Sequence, residues 1–290
     1  MTNRAQTLVG ALALTAAAAI WGSMFVVSAA VLRVVPAFVL LELRFVIAFV
    51  LLAAVARFSG RRAVARRDLP LMALLGLVGY TICTGLQFVG TALSGAARGS
   101  LITAASPALI ALFAVWLLGE RVTARGILAL GLGLGGVVVA VGLPSGEGGS
   151  LTGNIALALA ALTWSAHTVL SRLGTRHYGS LTVTTWATLF GALFSLPIAL
   201  HQQATQPWAG TPLIWLGIVY LGAVCTAAAF FLWNKGFEYL PAGSGGHFYL
   251  AQPLVGTLLG WALLDEQLTL GFFAGSVLIA AGVVVATTAR

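Results

Sequence analysis

The chain has 290 residues, of which 60% are hydrophobic and only 8% charged, with a mean hydropathy of +1.02. A soluble domain carries roughly 25% charged residues, so this composition excludes a water-exposed globular surface and places the chain in lipid. A net charge of +8 in a soluble protein would point to nucleic acid; in a membrane chain the positive-inside bias explains the same excess, and nucleic acid is not expected as a partner.

A membrane-spanning helix needs about 20 mostly apolar residues. Five such stretches run through residues 8–32, 37–57, 69–91, 95–118 and 123–143, numbered here spans 1 to 5. Five more, spans 6 to 10, run through 151–173, 180–201, 211–235, 241–264 and 269–289. Span 1 is longer than the ~7–15-residue apolar core of a signal peptide and has a counterpart in the second half, so it is expected to be retained. Pro144 to Ser150 read as a turn-rich linker. Cys83 and Cys225 lie inside apolar segments and read as packing residues rather than as a disulfide or metal pair.

The two halves repeat. From Pro107 the chain reads PALIALFAVWLLGERVT and from Pro253 it reads PLVGTLLGWALLDEQLT. The same offset carries on to a shared GVVVA at Gly136 to Ala140 and Gly282 to Ala286. With five spans in each half, the second is inserted upside down relative to the first. The expected fold is an all-α integral membrane protein of ten transmembrane helices in two inverted five-helix repeats, residues 1–144 and 151–290. Inverted repeats are an architecture of secondary transporters, with the substrate at the repeat interface near the bilayer midplane.

Charge placement agrees with that count. Arg4; Arg57, Arg61, Arg62, Arg66 and Arg67; Arg121 and Arg125; Arg172 and Arg176; Lys235; and Arg290 fall on one side. The other side has Arg33 and Arg98, and Arg44 lies within span 2. This asymmetry puts both termini in the cytoplasm. Glu42 and Arg44 do not share a helix face and sit near the outer end of span 2, where pairing with neighbours or snorkelling is the expected role. Glu120 and Glu266, at the turns before spans 5 and 10, are expected to complement helix N-terminal dipoles.

Several polar and aromatic residues fall at mid-depth. Trp21 and Trp164 occupy equivalent places near the centres of spans 1 and 6, whereas tryptophan ordinarily prefers the membrane interface. Trp116, Trp208, Trp215 and Trp261 follow that rule near span ends. A central pair suggests a cavity; filling a helix contact is the alternative. Helical spacing puts Met24 and Ser28 on the face of Trp21, and His167 and Ser171 on that of Trp164. His167 reads either as a substrate or proton contact or as a neutral packing histidine. Span 3 supplies Tyr80, Thr84 and Gln87; its counterpart, span 8, supplies Thr226, Phe230 and Trp233. Spans 4 and 9 carry Thr103, Ser106 and Pro107 against Tyr249, Gln252 and Pro253. Each proline removes a backbone donor and is expected to kink its span, freeing the carbonyls of Thr103 and Tyr249. Spans 1, 3, 4, 6, 8 and 9 would line one cavity. Its aromatic rings and neutral hydrogen-bonding groups suit amphipathic small molecules; with no basic cluster at mid-depth, they suit polyanions poorly.

Two apparent motifs carry no chemistry here. Gly131 to Gly136 satisfies GxGxxG by letter but has no preceding strand; Gly131 with Gly135, and Gly271 with Gly275, are expected to allow close packing of spans 5 and 10. Ala242-Gly243-Ser244-Gly245-Gly246-His247 lacks the first glycine of a nucleophile elbow and reads as a segment of close packing or movement. No metal-ligand spacing is present, and no cofactor or metal is expected.

Ten spans, two repeats of five, Trp21-Gly22 in span 1, Pro107 with Gly119-Glu120-Arg121 in span 4, and Pro253 with Asp265-Glu266 in span 9 resemble the EamA-type branch of the drug/metabolite transporter superfamily. The resemblance covers essentially the whole chain; Asp265 departs from the glycine of the first half. The aromatic content of the presumed centre looks most like the aromatic amino-acid exporter type, and the resemblance implies export of amino acids or related metabolites. The expected function is an inner-membrane secondary transporter of neutral amphipathic metabolites, with aromatic or other neutral amino acids as the small-molecule substrate. It would work by alternating access and facilitated diffusion, the lipid bilayer being the other partner and the oligomeric state open. The alternatives are a proton-coupled drug or metabolite exporter, a lipid-flipping or structural membrane protein, and a membrane enzyme acting on lipid or peptide.

Overall fold

The computed structural model describes residues 4–58, 64–94, 99, 102–121, 123–141, 150–264 and 270–288. Arg61, Arg62, Arg98, the linker up to Gly149, Asp265 and Glu266 lie outside the described residues, as does the side chain of Trp261. Among the described residues all regular structure is helical. Six helices are long and apolar enough to cross a bilayer unbroken: Arg4–Val31, Ala37–Phe58, Arg66–Ser94, Leu151–Tyr178, Ser180–Thr205 and Pro212–Tyr239, which are spans 1, 2, 3, 6, 7 and 8. The other four are shorter. Span 4 is described as Ser106–Leu118, span 5 as Ala124–Val141 and span 10 as Leu270–Thr288. Span 9 consists of a short α-turn, Ala242–Gly245, a 3₁₀ turn, Gly246–Leu250, and an α-helix, Ala251–Leu264.

Spans 4 and 9 are broken where a proline was expected to bend them. A turn at Ala104 and Ala105 precedes the helix Ser106–Leu118, and Pro107 sits in its first turn. Pro253 is the third residue of Ala251–Leu264, directly after the 3₁₀ turn. Proline has no N–H to contribute, but its fixed φ suits the first turn of a helix. The chain therefore starts a new helix at each proline rather than kinking an old one.

Spans 3 and 8 share a second irregularity. Each contains a π-helical stretch at repeat-equivalent positions, Gly76–Ile82 and Ala223–Ala228. The wider turn is marked by threonine hydroxyls that donate five residues back, Thr84 Oγ1 to the Gly79 carbonyl (3.4 Å) and Thr226 Oγ1 to that of Leu221 (2.7 Å). Such turns are rare, and they concentrate at functional sites.

The packing reflects the repeat. Span 1 lies against spans 8 and 9, and span 6 against spans 3 and 4; span 2 packs on span 7, and span 5 on span 10. Exchanging the halves maps this pattern onto itself. Spans 5 and 10 pack closely through glycines, as expected, with Gly275 among those anticipated and Gly136 and Gly282 in addition. A Cβ on Gly136 would fall 2.8 Å from the Gly275 carbonyl oxygen, and one on Gly282 2.8 Å from that of Ala129. Gly131 and Gly135 face open space instead; the contact row runs through Gly133 and Gly136, a different stripe of the same helix.

The ends that carry most of the basic residues lie together. Tyr178 donates to Asp68, and Glu238 accepts from the Ser180 amide and pairs with Lys235. Gly119, at φ 65°, ends span 4 in the left-handed conformation. Glu120 follows and pairs with Arg172 at the end of span 6. It also accepts from the Ala242 amide (3.2 Å) and the Gly243 amide (2.9 Å). This corrects its expected role: it caps the start of span 9, in the other half, rather than span 5. Trp116 and Trp215 are exposed on the outer surface, where a lipid interface accommodates them.

Candidate functional site

Six aromatic rings meet where spans 1, 3, 6, 8 and 9 converge. The Trp21 ring centre lies 4.9 Å from that of Trp164, 5.3 Å from Phe230 and 5.2 Å from Trp233, in edge-to-face arrangements. Tyr249 closes the group at 6.1 Å from both Trp21 and Trp164 and 5.7 Å from Trp233, and Tyr80 lies 4.5 Å from Phe230. Such contacts each contribute about 0.5–1.5 kcal/mol beyond area burial.

Beside this cluster lies a cavity of about 20 Å³, room for roughly one water molecule. Trp21 and Met24 line it from span 1, with Trp164 and Ala160 from span 6. Cys83, Thr84 and Gln87 contribute from span 3, and Phe230 from span 8. Thr103 and Ser106 contribute from span 4, and Tyr249 and Gln252 from span 9. The structure thus brings ten of the sequence-derived candidates to one wall. Tyr80, His167 and Trp233 are not among the lining residues; they form the layer behind it.

The π-turn explains why Tyr80 parts from Thr84 and Gln87. Ordinary helical spacing puts all three on one face, but Gly76–Ile82 is wound more loosely and rotates Tyr80 away from the other two. His167 packs over Gly79 in the same turn so closely that a Cβ there would overlap the imidazole. Trp233 donates its indole N–H to Thr168 Oγ1 at 3.3 Å and packs against Phe237 at 5.0 Å.

The two central tryptophans differ in their hydrogen bonding. Trp21 Nε1 donates to the Cys225 carbonyl in the π-turn of span 8, at 2.9 Å. Trp164 Nε1 is buried and has no partner among the described residues, as is true of Ser106 Oγ. Buried polar groups are normally satisfied, so these two donors on the cavity wall are available to whatever enters it.

Sequence reasoning missed Arg44. It was expected to pair with neighbours or snorkel near the outer end of span 2; it is instead fully buried, and it lines the cavity. Its Nε donates to Thr226 Oγ1 at 2.7 Å, and its terminal nitrogens approach Met24 Sδ at 3.6 Å. The Phe88 ring lies 5.2 Å from Cζ. Glu42 turns elsewhere and accepts from Ser195 Oγ at 2.7 Å. The overlooked signal was depth: Arg44 stands seven residues after Ala37, about 10 Å along a helix, and an ionisable residue at that depth defaults to a functional role.

A larger space of about 500 Å³ lies nearer the basic end of the fold, lined by Glu120, Arg121, Arg172, Arg176 and His247 among others. The Glu120–Arg172 pair that joins the halves stands in its wall.

Known proteins share both sequence and fold with this chain. The chain is 27% identical over 279 residues to YetK of Bacillus subtilis, named an uncharacterized transporter, covering 94% of this chain and 84% of the relative. It is 30% identical over 215 residues to a probable terminal-alkyne amino-acid exporter of Streptantibioticus cattleyicolor, covering 73% and 71%. A protein of known crystal structure superposes with a TM-score of 0.81 at 27% identity, covering 99% of each chain. The description "EamA-like transporter family" fits the sequence twice, over residues 8–142 and 151–288. With the fold matched along nearly its whole length and each half matching the same family, this ten-helix integral membrane protein belongs to the EamA-like transporter family.

Proposed function

We propose that this transporter exports neutral amino acids, aromatic ones foremost, from the cytoplasm across the inner membrane. Both termini would be cytoplasmic, and residues 1–144 and 151–290 would act as the two moving units. The observation that carries the reading is the small cavity between the halves, walled by Trp21, Trp164, Phe230 and Tyr249, by neutral polar groups and by Arg44. Rings offer stacking surface, while hydroxyls, amides and indole N–H groups match a polar end. The amino-acid exporter among the relatives adds support for the substrate class. Because the cavity holds only about one water, a substrate requires the halves to separate there. Rocking about the repeat interface would open it first to one side and then to the other. Among the described residues the lining contains no aspartate or glutamate, which favours movement down the substrate's own gradient over proton exchange.

The test is uptake by proteoliposomes of a labelled panel of amino acids, nucleosides and cationic drugs. Aromatic amino acids should move fastest. Trp164→Ala should reduce their transport severalfold while the protein still reaches the membrane. Equal transport by wild type and by both Trp164→Ala and Tyr249→Ala would place the site elsewhere.

A further inference from the structure

Among the described residues Arg44 is a cation without a counter-ion. It is wholly inside the protein, and among the described residues it has no ion pair. One of its five N–H donors has a good oxygen acceptor, Thr226 Oγ1. Both terminal nitrogens have only the Met24 thioether, at 3.6 Å, and sulfur is a weak acceptor. Among the described residues the acidic side chains are engaged elsewhere: Glu42 with Ser195, Asp68 with Tyr178, Glu120 with Arg172, Glu238 with Lys235. A guanidinium held in the membrane interior without a carboxylate partner is costly, and its position on a cavity wall gives that cost a use.

The surroundings favour an anion of one particular shape. Trp164 Nε1 and Ser106 Oγ line the same cavity with no partner of their own. Ser106 opens the helix Ser106–Leu118, whose cap residue Ala105 supplies no side-chain acceptor, so the positive helix end also lies there. The Thr226 bond at Nε and the Phe88 ring restrain the guanidinium, and its terminal nitrogens reach Met24, which lines the cavity as Arg44 does. A guanidinium edge presents paired donors that match a carboxylate.

We propose that Arg44 seats the carboxylate of the transported molecule, making that group a requirement and defining the substrate class as amino acids and other small monocarboxylates. This rests on the cavity being the transport site. The π-turn of span 8 then has a positioning role, since it presents Thr226 to the guanidinium.

The experiment compares phenylalanine with phenylalaninamide, and leucine with leucinamide, in proteoliposomes. The proteins are wild type, Arg44→Lys, Arg44→Met, Thr226→Val and Trp164→Ala. Wild type should transport each acid with a kcat/KM at least about tenfold above its amide, the scale of a charge-assisted hydrogen bond. Arg44→Met should lose at least about tenfold on the acids, chiefly in KM, and bring acid and amide within about threefold of each other. Arg44→Lys should keep part of the preference. Thr226→Val, which retains the charge, should lower the preference without abolishing transport, and it serves if Arg44→Met does not fold. Wild type carrying amides as well as acids, or Arg44→Met keeping the acid preference while Trp164→Ala loses transport, overturns the role of Arg44 alone. Wild-type rates in both Arg44→Met and Trp164→Ala overturn the assignment of the cavity itself.

Discussion

Removing the Glu120 side chain tests how the halves are held together. In Glu120→Ala the Arg172 guanidinium loses its carboxylate, and the amides of Ala242 and Gly243 lose their acceptor. The Arg172 and Glu120 side chains are 15% and 20% exposed, so water can replace part of what is lost. Breaking a fully buried pair costs about 3–5 kcal/mol, and an exposed pair contributes at most about 1 kcal/mol. Partial exposure sets the pair between those limits, and the two amide bonds add to it, for a total of about 3 kcal/mol. In a chain of this size that corresponds to a fall in melting temperature on the order of 5–10 °C. The assay is thermal unfolding of the purified protein in detergent, followed by tryptophan fluorescence. Glu120→Gln should recover part of the loss, because its amide oxygen can still accept. A double-mutant cycle with Arg172→Ala should give a coupling of at least about 1 kcal/mol. A Glu120→Ala melt within a degree of wild type, or independent effects of the two substitutions, would refute the latch.

Gly136→Leu would push a side chain into the Gly275 backbone and Ile279, so overpacking should cost about 1–3 kcal/mol, whereas Gly131→Leu, which meets open space, should be near neutral; equal melting temperatures for the two would contradict the packing of spans 5 and 10. For topology, single-cysteine labelling of intact cells should leave a probe near Arg62 unreactive and label one near Gly148, and the opposite pattern would reverse the orientation. An imposed pH gradient should change neither the direction nor the extent of net amino-acid movement in proteoliposomes. Uphill accumulation driven by that gradient and lost in His167→Ala would show proton coupling through the histidine.

The sequence alone was enough to find the membrane spans, their duplication and the family. These depend on composition and on long-range repetition, which survive whatever the local backbone does. Most of the cavity wall was legible too, because Trp21, Trp164, Phe230, Tyr249 and Gln252 lie on ordinary helical faces or at repeat-equivalent positions. Four features needed the tertiary structure. Tyr80 left the cavity face because a π-turn breaks the helical spacing from which its face was inferred. Pro107 became a helix start because spans 4 and 9 depart from α-helical geometry just before their prolines, in a turn at Ala104 and Ala105 and a 3₁₀ turn at Gly246–Leu250. Glu120 reached across to span 9 rather than serving its own helix, because a left-handed Gly119 turns the chain there. Arg44 looked like a residue able to reach water, and only the packing of spans 1, 3 and 8 around it showed that it cannot. Periodicity specifies which side of a regular helix a residue occupies. Which neighbours face that side, and where the helix stops being regular, are decided by the packing of all ten spans together.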